Sequence, residues 1–260
     1  ALHNLFATAN ASPNMDLLDA LDARSGLVCV VGAGGKKTAL YTLANRAAKE
    51  GLRSVVTATV RIPIFDEQVS HVVTTADPVD VLQSTEEYPV GVVPERDGET
   101  RYRGYDTAVV DELARSGVAD VLLTKADGAR TREFKAPGSR EPQLPESTDT
   151  VLPIASVHAV GEPLGEETVH RPERVAAITG LAEGEEITPA DVASVVASPD
   201  GGLKGVPDGA TAIPVLNKVD DEELAGVGRD IARGILDRAD VPRVVLTSLV
   251  ADDPVVDVVE

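Results

Sequence analysis

The chain has 260 residues and carries 43 Asp and Glu against 24 Lys and Arg, a formal net charge of −19 at pH 7. This length allows one large α/β domain or two small ones, and with aromatics at only 3% and no Trp the core must be Val, Leu, Ile and Ala, as in buried parallel strands covered by helices. The acids are spread along the chain, which argues against nucleic-acid partners that need clustered Lys and Arg and fits a basic partner or a surface kept soluble in a salt-rich cytoplasm.

Residues 1–25 read as an N-terminal extension. They lack the basic region and apolar core of a secretory signal, and no apolar stretch in the chain approaches the ~18 residues of a membrane span; the expectation is a cytoplasmic protein with no membrane partner. Leu27–Val31 is a strand entering a glycine loop, and its Cys29, the only cysteine, reads as a buried core residue. Leu40, Leu43, Ala44 and Ala47 share a helical face that stops at Gly51. Ser54–Thr59, His71–Thr75 and Val90–Val93 read as strands. Val109, Val110 and Leu113 mark a helix before a strand at Ala119–Thr124. Residues 128–150 hold Pro137, Pro142 and Pro145 with little periodicity, and a long irregular insert of this kind is more often functional than idle. Strand character resumes at Val151–Val157. Short helices and Gly/Pro turns follow over 161–210, then a strand at Ala212–Leu216, a helix at Leu224–Leu236 and a final strand at Val244–Thr247. The alternation predicts one α/β domain over 26–260, a mostly parallel sheet with helices on both faces, P-loop NTPase-like.

The first motif is Val31-Gly32-Ala33-Gly34-Gly35-Lys36-Lys37-Thr38, between a strand and a helix. Glycines there let backbone N–H groups converge on an anion, the helix start adds partial positive charge, and Lys36 can reach the outer phosphates. The match to a phosphate loop is incomplete: Val30 stands where its first glycine belongs, and Lys37 where a magnesium-binding Ser or Thr belongs, so Thr38 takes the metal role only if the turn shifts by one residue. A dinucleotide-binding loop would need glycine at Lys37 and an acid ending the second strand, which ends Thr57-Ala58-Thr59 instead. A purely structural turn leaves two lysines at a helix N-terminus unexplained, since cations are unfavourable there.

Asn217-Lys218-Val219-Asp220 follows a strand, as in guanine-nucleotide-binding proteins, where the aspartate accepts from guanine N1 and N2, the asparagine holds the loop and the lysine stem covers the ring. Ser248, after the next strand, stands where such proteins carry a base-supporting loop. The competing reading makes Asp220 a helix N-cap. Thr124-Lys125-Ala126-Asp127 has the same form earlier in the chain, where Asp127 is the candidate for magnesium or water positioning or else a buried turn residue.

With these motifs the sequence resembles the YqeC family, accessory proteins linked to selenium-dependent hydroxylases. The resemblance covers nearly the whole chain and rests on Val31–Lys36, Ala126-Asp127-Gly128-Ala129-Arg130, Lys135-Ala136-Pro137, Glu141-Pro142, Val169-His170-Arg171-Pro172-Glu173, Gly201-Gly202-Leu203-Lys204-Gly205 with Pro207, and Leu216–Asp220. It implies a cytoplasmic phosphate-loop protein in the maturation of molybdenum-containing hydroxylases, with such an enzyme, its cofactor or its selenium donor as partner. The family usually has Thr where Lys37 stands and an acid where Lys125 stands; both departures add positive charge near the presumed metal site.

The middle motifs suggest a second anion site of Arg130, Lys135 and Arg171, with Arg132 nearby and His170 as a proton-transfer group. Pairing of Arg130, Arg132 and Lys135 with Glu133 and Glu141 is the plainer reading of those three, and a surface or capping role is the plainer reading of His170-Arg171. The overall expectation is a nucleotide-binding accessory protein taking GTP (or ATP) with Mg2+, its catalytic candidates Lys36, Asp127 and His170. A non-hydrolysing scaffold or cofactor carrier and an ATP-dependent small-molecule enzyme are the alternatives.

Overall fold

A computed structural model describes residues 15–260. Nine strands form the body of one sheet: β1 (Gly26–Gly32), β2 (Ser54–Ala58), β3 (His71–Thr74), β4 (Val90–Val93), β5 (Val121–Lys125), β6 (Thr150–Ser156), β7 (Val215–Asn217), β8 (Val244–Thr247) and β9 (Val255–Val259). Their order is β9-β8-β7-β6-β1-β5-β2-β4-β3, and a tenth strand, Thr211–Ala212, pairs with β6. All neighbours are parallel except β8 and β9. Among the described residues seven α-helices accompany them: α1 (Leu17–Ala20), α2 (Lys36–Lys49), α3 (Pro78–Leu82), α4 (Thr107–Ser116), α5 (Pro172–Thr179), α6 (Pro189–Val196) and α7 (Glu222–Leu236).

The apolar runs read from the sequence are buried on both sides, as a parallel sheet between helices requires. In β1, Val28 and Val30 join the core under α1 and α2, and Leu27, Cys29 and Val31 join the core under α4. Leu216, Val244 and Leu246 pack against α6 and α7 in a third cluster. Burial pushes the Cys29 thiol up to about 12, so it is an inert core group. In α2 the buried positions include Leu40, Leu43, Ala44 and Ala47, the face expected from their spacing.

Three elements depart from the sequence reading. The strand expected over Ala212–Leu216 is broken at Ile213-Pro214 into Thr211–Ala212 and Val215–Asn217, because proline has no N–H for the ladder. The strand expected to be final is followed by β9, which closes the sheet antiparallel with half-buried valines. The extension expected over 1–25 is, from residue 17 on, part of the core: Leu17, Leu18, Leu21 and Ala23 are buried against α2, and Asp16 caps α1 by accepting from Leu18 N at 2.8 Å. Residues 1–14 of that extension, where the signal was sought, lie outside the described residues. Among the described residues no helix is long and apolar enough to cross a membrane.

Parallel strands bring every β-to-α loop of the body to the same edge, where ligands of α/β sheets bind. The glycine loop after β1, Asp127 after β5 and Asn217 at the end of β7 therefore share one rim. Two small ribbons widen it: Ile62–Pro63 with Arg101–Tyr102, antiparallel, and Phe134–Lys135 with Val169–His170, parallel.

Because Leu18 is fully buried, Leu18→Ala should lower unfolding free energy by about 2–5 kcal/mol. Val250→Ala, at a site 85% exposed, should stay within about 0.5 kcal/mol. Urea unfolding at fixed salt checks both.

Candidate functional site

The glycine loop turns sharply because its geometry excludes side chains. Gly32 has φ 91°, and a Cβ there would run into Ile154 O of the neighbouring strand; Gly35 has φ 141°, and a Cβ there would collide with Asn217 Nδ2. Three loop amides are used internally: Gly32 N donates to Asp127 Oδ2 at 2.9 Å, Ala33 N to Ile154 O at 2.8 Å and Gly34 N to Arg132 O at 2.9 Å. Gly35 is the N-cap of α2 with no side-chain cap, and the first turn holds no acid, so the amides of Lys36, Lys37 and Thr38 are those a helix start leaves without intrahelical partners.

These residues line a cavity of about 580 Å³ with Ala33–Thr38 on one side, the insert (Gly128–Glu133, Glu141) and His170-Arg171 on another, and Val60, Arg61, Pro63, Arg101, Lys125 and Lys218 completing it. Its lining includes nine of the 24 bases (Lys36, Lys37, Arg61, Arg101, Lys125, Arg130, Arg132, Arg171, Lys218) and two of the 43 acids, Glu133 and Glu141. A second depression of about 520 Å³, lined by Val79, Ala108, Glu112, Arg115 and Ser116, has no such charge.

Asp127 lies under the loop, 1% exposed. Its Oδ2 accepts from Gly32 N and from Lys135 Nζ at 2.7 Å; its Oδ1 faces Lys36 Nζ at 2.8 Å as an ion pair, without an aligned hydrogen bond. Lys36 Nζ also donates to Gly32 O. Burial by itself would raise the Asp127 pKa, but Lys36 and Lys135 outweigh it and hold the carboxyl below its usual range. Burial lowers Lys36, with Asp127 opposing. Lys125, 6% exposed at the end of β5, donates to Arg61 O at 2.9 Å, and burial together with the Lys36 charge brings it down to about 7.

The other predicted residues fall in two groups. Thr38, Lys37, Lys218, Arg130, His170 and Arg171 line the cavity. Lys135 sits beneath it with three oxygen partners: Asp127, Gly128 O at 2.6 Å and Glu141 Oε2 at 2.9 Å. Arg171 also donates to Glu141 Oε2, at 2.7 Å; the carboxylate pairing read as the plainer alternative is present for Lys135, while Arg130 and Arg132 have no ion pair among the described residues. Asn217 is the clamp between loop and sheet: Nδ2 donates to Gly34 O at 2.8 Å, and Oδ1 accepts from Thr247 Oγ1 and Leu249 N at 3.2 Å each. Lys218 crosses to Glu133 Oε1 at 2.6 Å. Asp220 is exposed outside the cavity lining and accepts from Ser248 Oγ at 2.6 Å; the cap of α7 is Asp221, accepting from Leu224 N at 2.8 Å.

Sequence reasoning missed Arg61 and Arg101, whose only signal is position: Arg61 follows the end of β2, at the ligand-binding edge, and Arg101 pairs with that segment through the small ribbon. It also gave Lys204 no role; its Nζ donates to Gly138 O at 2.6 Å and so ties the 201–205 turn to the insert. Among the described residues no three His, Cys, Asp or Glu side chains converge on a metal position.

Fold and rim together define an α/β protein of P-loop NTPase-like build with a cationic cavity at its strand ends. A family model described as YqeC protein matches residues 28–173. Escherichia coli (strain K12) has a relative, "Uncharacterized protein YqeC", 30% identical over 206 residues that span 78% of this chain and 79% of that protein. The chain belongs to the YqeC family.

Two groups at the cavity wall set a pH dependence. Burial, with the charges of Arg171, Lys135 and Arg130, lowers His170 from 6.5 to about 4 against the pull of Glu141. Burial would raise Glu141, but Lys135 and Arg171 lower it from 4.5 to about 2. In both cases the unfolded chain binds protons that the folded one refuses, so stability falls with falling pH. The His170 share is complete above 6.5 and is lost towards 4; the Glu141 share is complete above 4.5 and is lost towards 2. Urea unfolding against pH should show His170→Gln flattening the upper window and Glu141→Gln the lower.

Proposed function

We propose that this chain binds a nucleoside triphosphate, GTP in preference to ATP, as an accessory protein in the maturation of molybdenum-containing hydroxylases that carry selenium. The observation that carries the nucleotide reading is the concentration of charge: in a molecule of −19, nine bases and two acids line one cavity at the start of a helix. Helix-start amides and ammonium groups are what a polyphosphate chain needs. On this reading Lys36 exchanges Asp127 for a phosphate oxygen, Lys37 meets the same chain, and the loop Gly32–Gly35 keeps the backbone close.

Guanine recognition is supported by what Asp220 is free to do. Asp221 caps α7, so among the described residues Asp220 has Ser248 as its hydrogen-bond partner, and Asn217 fixes the loop beneath. The residues that would hold Mg2+ are Asp127, whose Oδ1 is buried without an aligned hydrogen bond, and Thr38. Phosphate oxygens and water would complete its octahedron, as is usual for this ion, and the ion would supply charge neutralisation at the phosphates. The hydroxylase and its cofactor or selenium donor come into the proposal from family membership.

A second reading, binding without turnover, is favoured by one feature. Asp127 is held by Lys36 and Lys135 and has Lys125 nearby, so ammonium charge stands where a hydrolysing site relies on its metal.

Calorimetric titration of GTP, GDP and ATP with Mg2+ at several salt concentrations tests the proposal. GTP should bind more tightly than ATP, Asp220→Asn should erase that preference, and Lys36→Ala should weaken both by about ten- to a hundredfold, the value of a charge-assisted hydrogen bond. ATP tighter than GTP, with Asp220→Asn silent, would move the site to ATP. No nucleotide binding at any salt would end the reading. Mg2+-dependent phosphate release, lost in Lys36→Ala, separates turnover from the scaffold alternative.

A further inference from the structure

The cavity's bases belong to separate structural groups. Lys36 and Lys37 flank the helix start, while Arg61 and Arg101 come from the ribbon after β2, and Arg130 and Arg132 from the insert. Eleven of the chain's 24 Lys and Arg form no ion pair among the described residues, and five of these, Lys37, Arg101, Lys125, Arg130 and Arg132, line this one cavity. Scarcity of carboxylates is not the reason in a chain with 43 of them. Like charges gathered without partners repel one another and destabilise the fold, so the arrangement is retained at a cost.

The insert supplies a second sign of cost. Arg130 (φ 47°) and Thr131 (φ 60°) are consecutive non-glycine residues in the left-handed region. Such backbone is strained for residues that carry a Cβ and clusters at ligand clamps. Arg171 and Lys135, by contrast, are satisfied by Glu141, and Arg61 pairs with Asp97, so the free anion-binding capacity lies with Arg101, Arg130 and Arg132.

We infer that Arg130 and Arg132, with Arg101, form a second anion subsite of the cavity, separate from the helix start and taking a compact phosphate-type dianion, free or as the phosphomonoester end of a larger molecule, beside the nucleotide. Guanidinium forks match phosphate oxygens two at a time, which suits arginine over lysine for this wall. The inference rests on the nucleotide reading only for the occupant of the neighbouring subsite.

The test is calorimetry on the full chain at constant ionic strength, with inorganic phosphate and glycerol 3-phosphate as probes, with and without saturating GDP. The variants are Arg130→Gln/Arg132→Gln and, as a contrast at the helix start, Lys37→Gln; circular dichroism verifies that each is folded. The expected result is that a probe binds with GDP present, and that the double variant weakens it at least tenfold and by far more than it weakens GDP. The probe that binds tighter distinguishes a phosphomonoester from a free oxyanion, and either supports the subsite. Mutual exclusion of probe and GDP, or a double variant with unchanged probe affinity, would overturn it. Should GDP not bind at all, a probe lost in the double variant but kept in Lys37→Gln supports the subsite while the nucleotide reading falls; the reverse pattern overturns the subsite.

Discussion

One buried carboxylate ties the rim of this molecule together. Asp127 receives the Gly32 amide, the Lys135 ammonium and the charge of Lys36 within 2.9 Å, so the end of β5, the glycine loop and the insert are held in one arrangement. A carboxylate so deep inside the protein would be costly without these partners. Removing it would leave two ammonium groups buried together, and removing either lysine would leave the carboxylate short of charge. Asn217 plays the matching part on the other side, where its amide holds Gly34 O and its oxygen is held by Thr247 and Leu249.

That arrangement also explains how a strongly acidic protein keeps a cationic cavity. The acids are spread over the surface, whereas the parallel sheet sends its loops to one edge, and the bases concentrated there come from six separate segments of chain: 36–37, 61, 101, 125–132, 171 and 218. At physiological ionic strength screening acts over about 8 Å, so the local charge of the cavity, more than the distant net charge, governs what enters it. Family membership is compatible with such a site without specifying its ligand.

The parts of the fold legible in the sequence were those governed by local pattern. Val90–Val93 and Val244–Thr247 have the bounds expected from their apolar runs, and α2 buries the face its spacing set out. What was missed depended on partners distant in sequence. The Val255–Val259 strand is half-exposed and is fixed by pairing with β8, and Leu17–Ala20 is too short to read as a helix until α2 is there to cover it. The break at Pro214 follows from a residue type that the sequence shows, within an apolar run whose pattern alone reads as one strand. At the site, the glycine loop, Asp127, Asn217 and the insert were visible as motifs at strand ends. Arg61 and Arg101 were not, since only the antiparallel ribbon between distant segments brings them to the cavity. Whether a base is spent or available was likewise invisible: Lys135 and Arg130 look alike in sequence, yet one has three oxygen partners and the other has no carboxylate.

The central claim is that the amides opening α2 are the phosphate seat. Backbone amide NMR of the folded chain, recorded before and after addition of Mg-GTP, tests it at those atoms. The account predicts the largest shifts at Gly35, Lys36, Lys37 and Thr38, as their N–H groups take up phosphate oxygens. Saturable GTP binding that leaves those four amides unmoved, with the shifts confined to residues elsewhere, would contradict it.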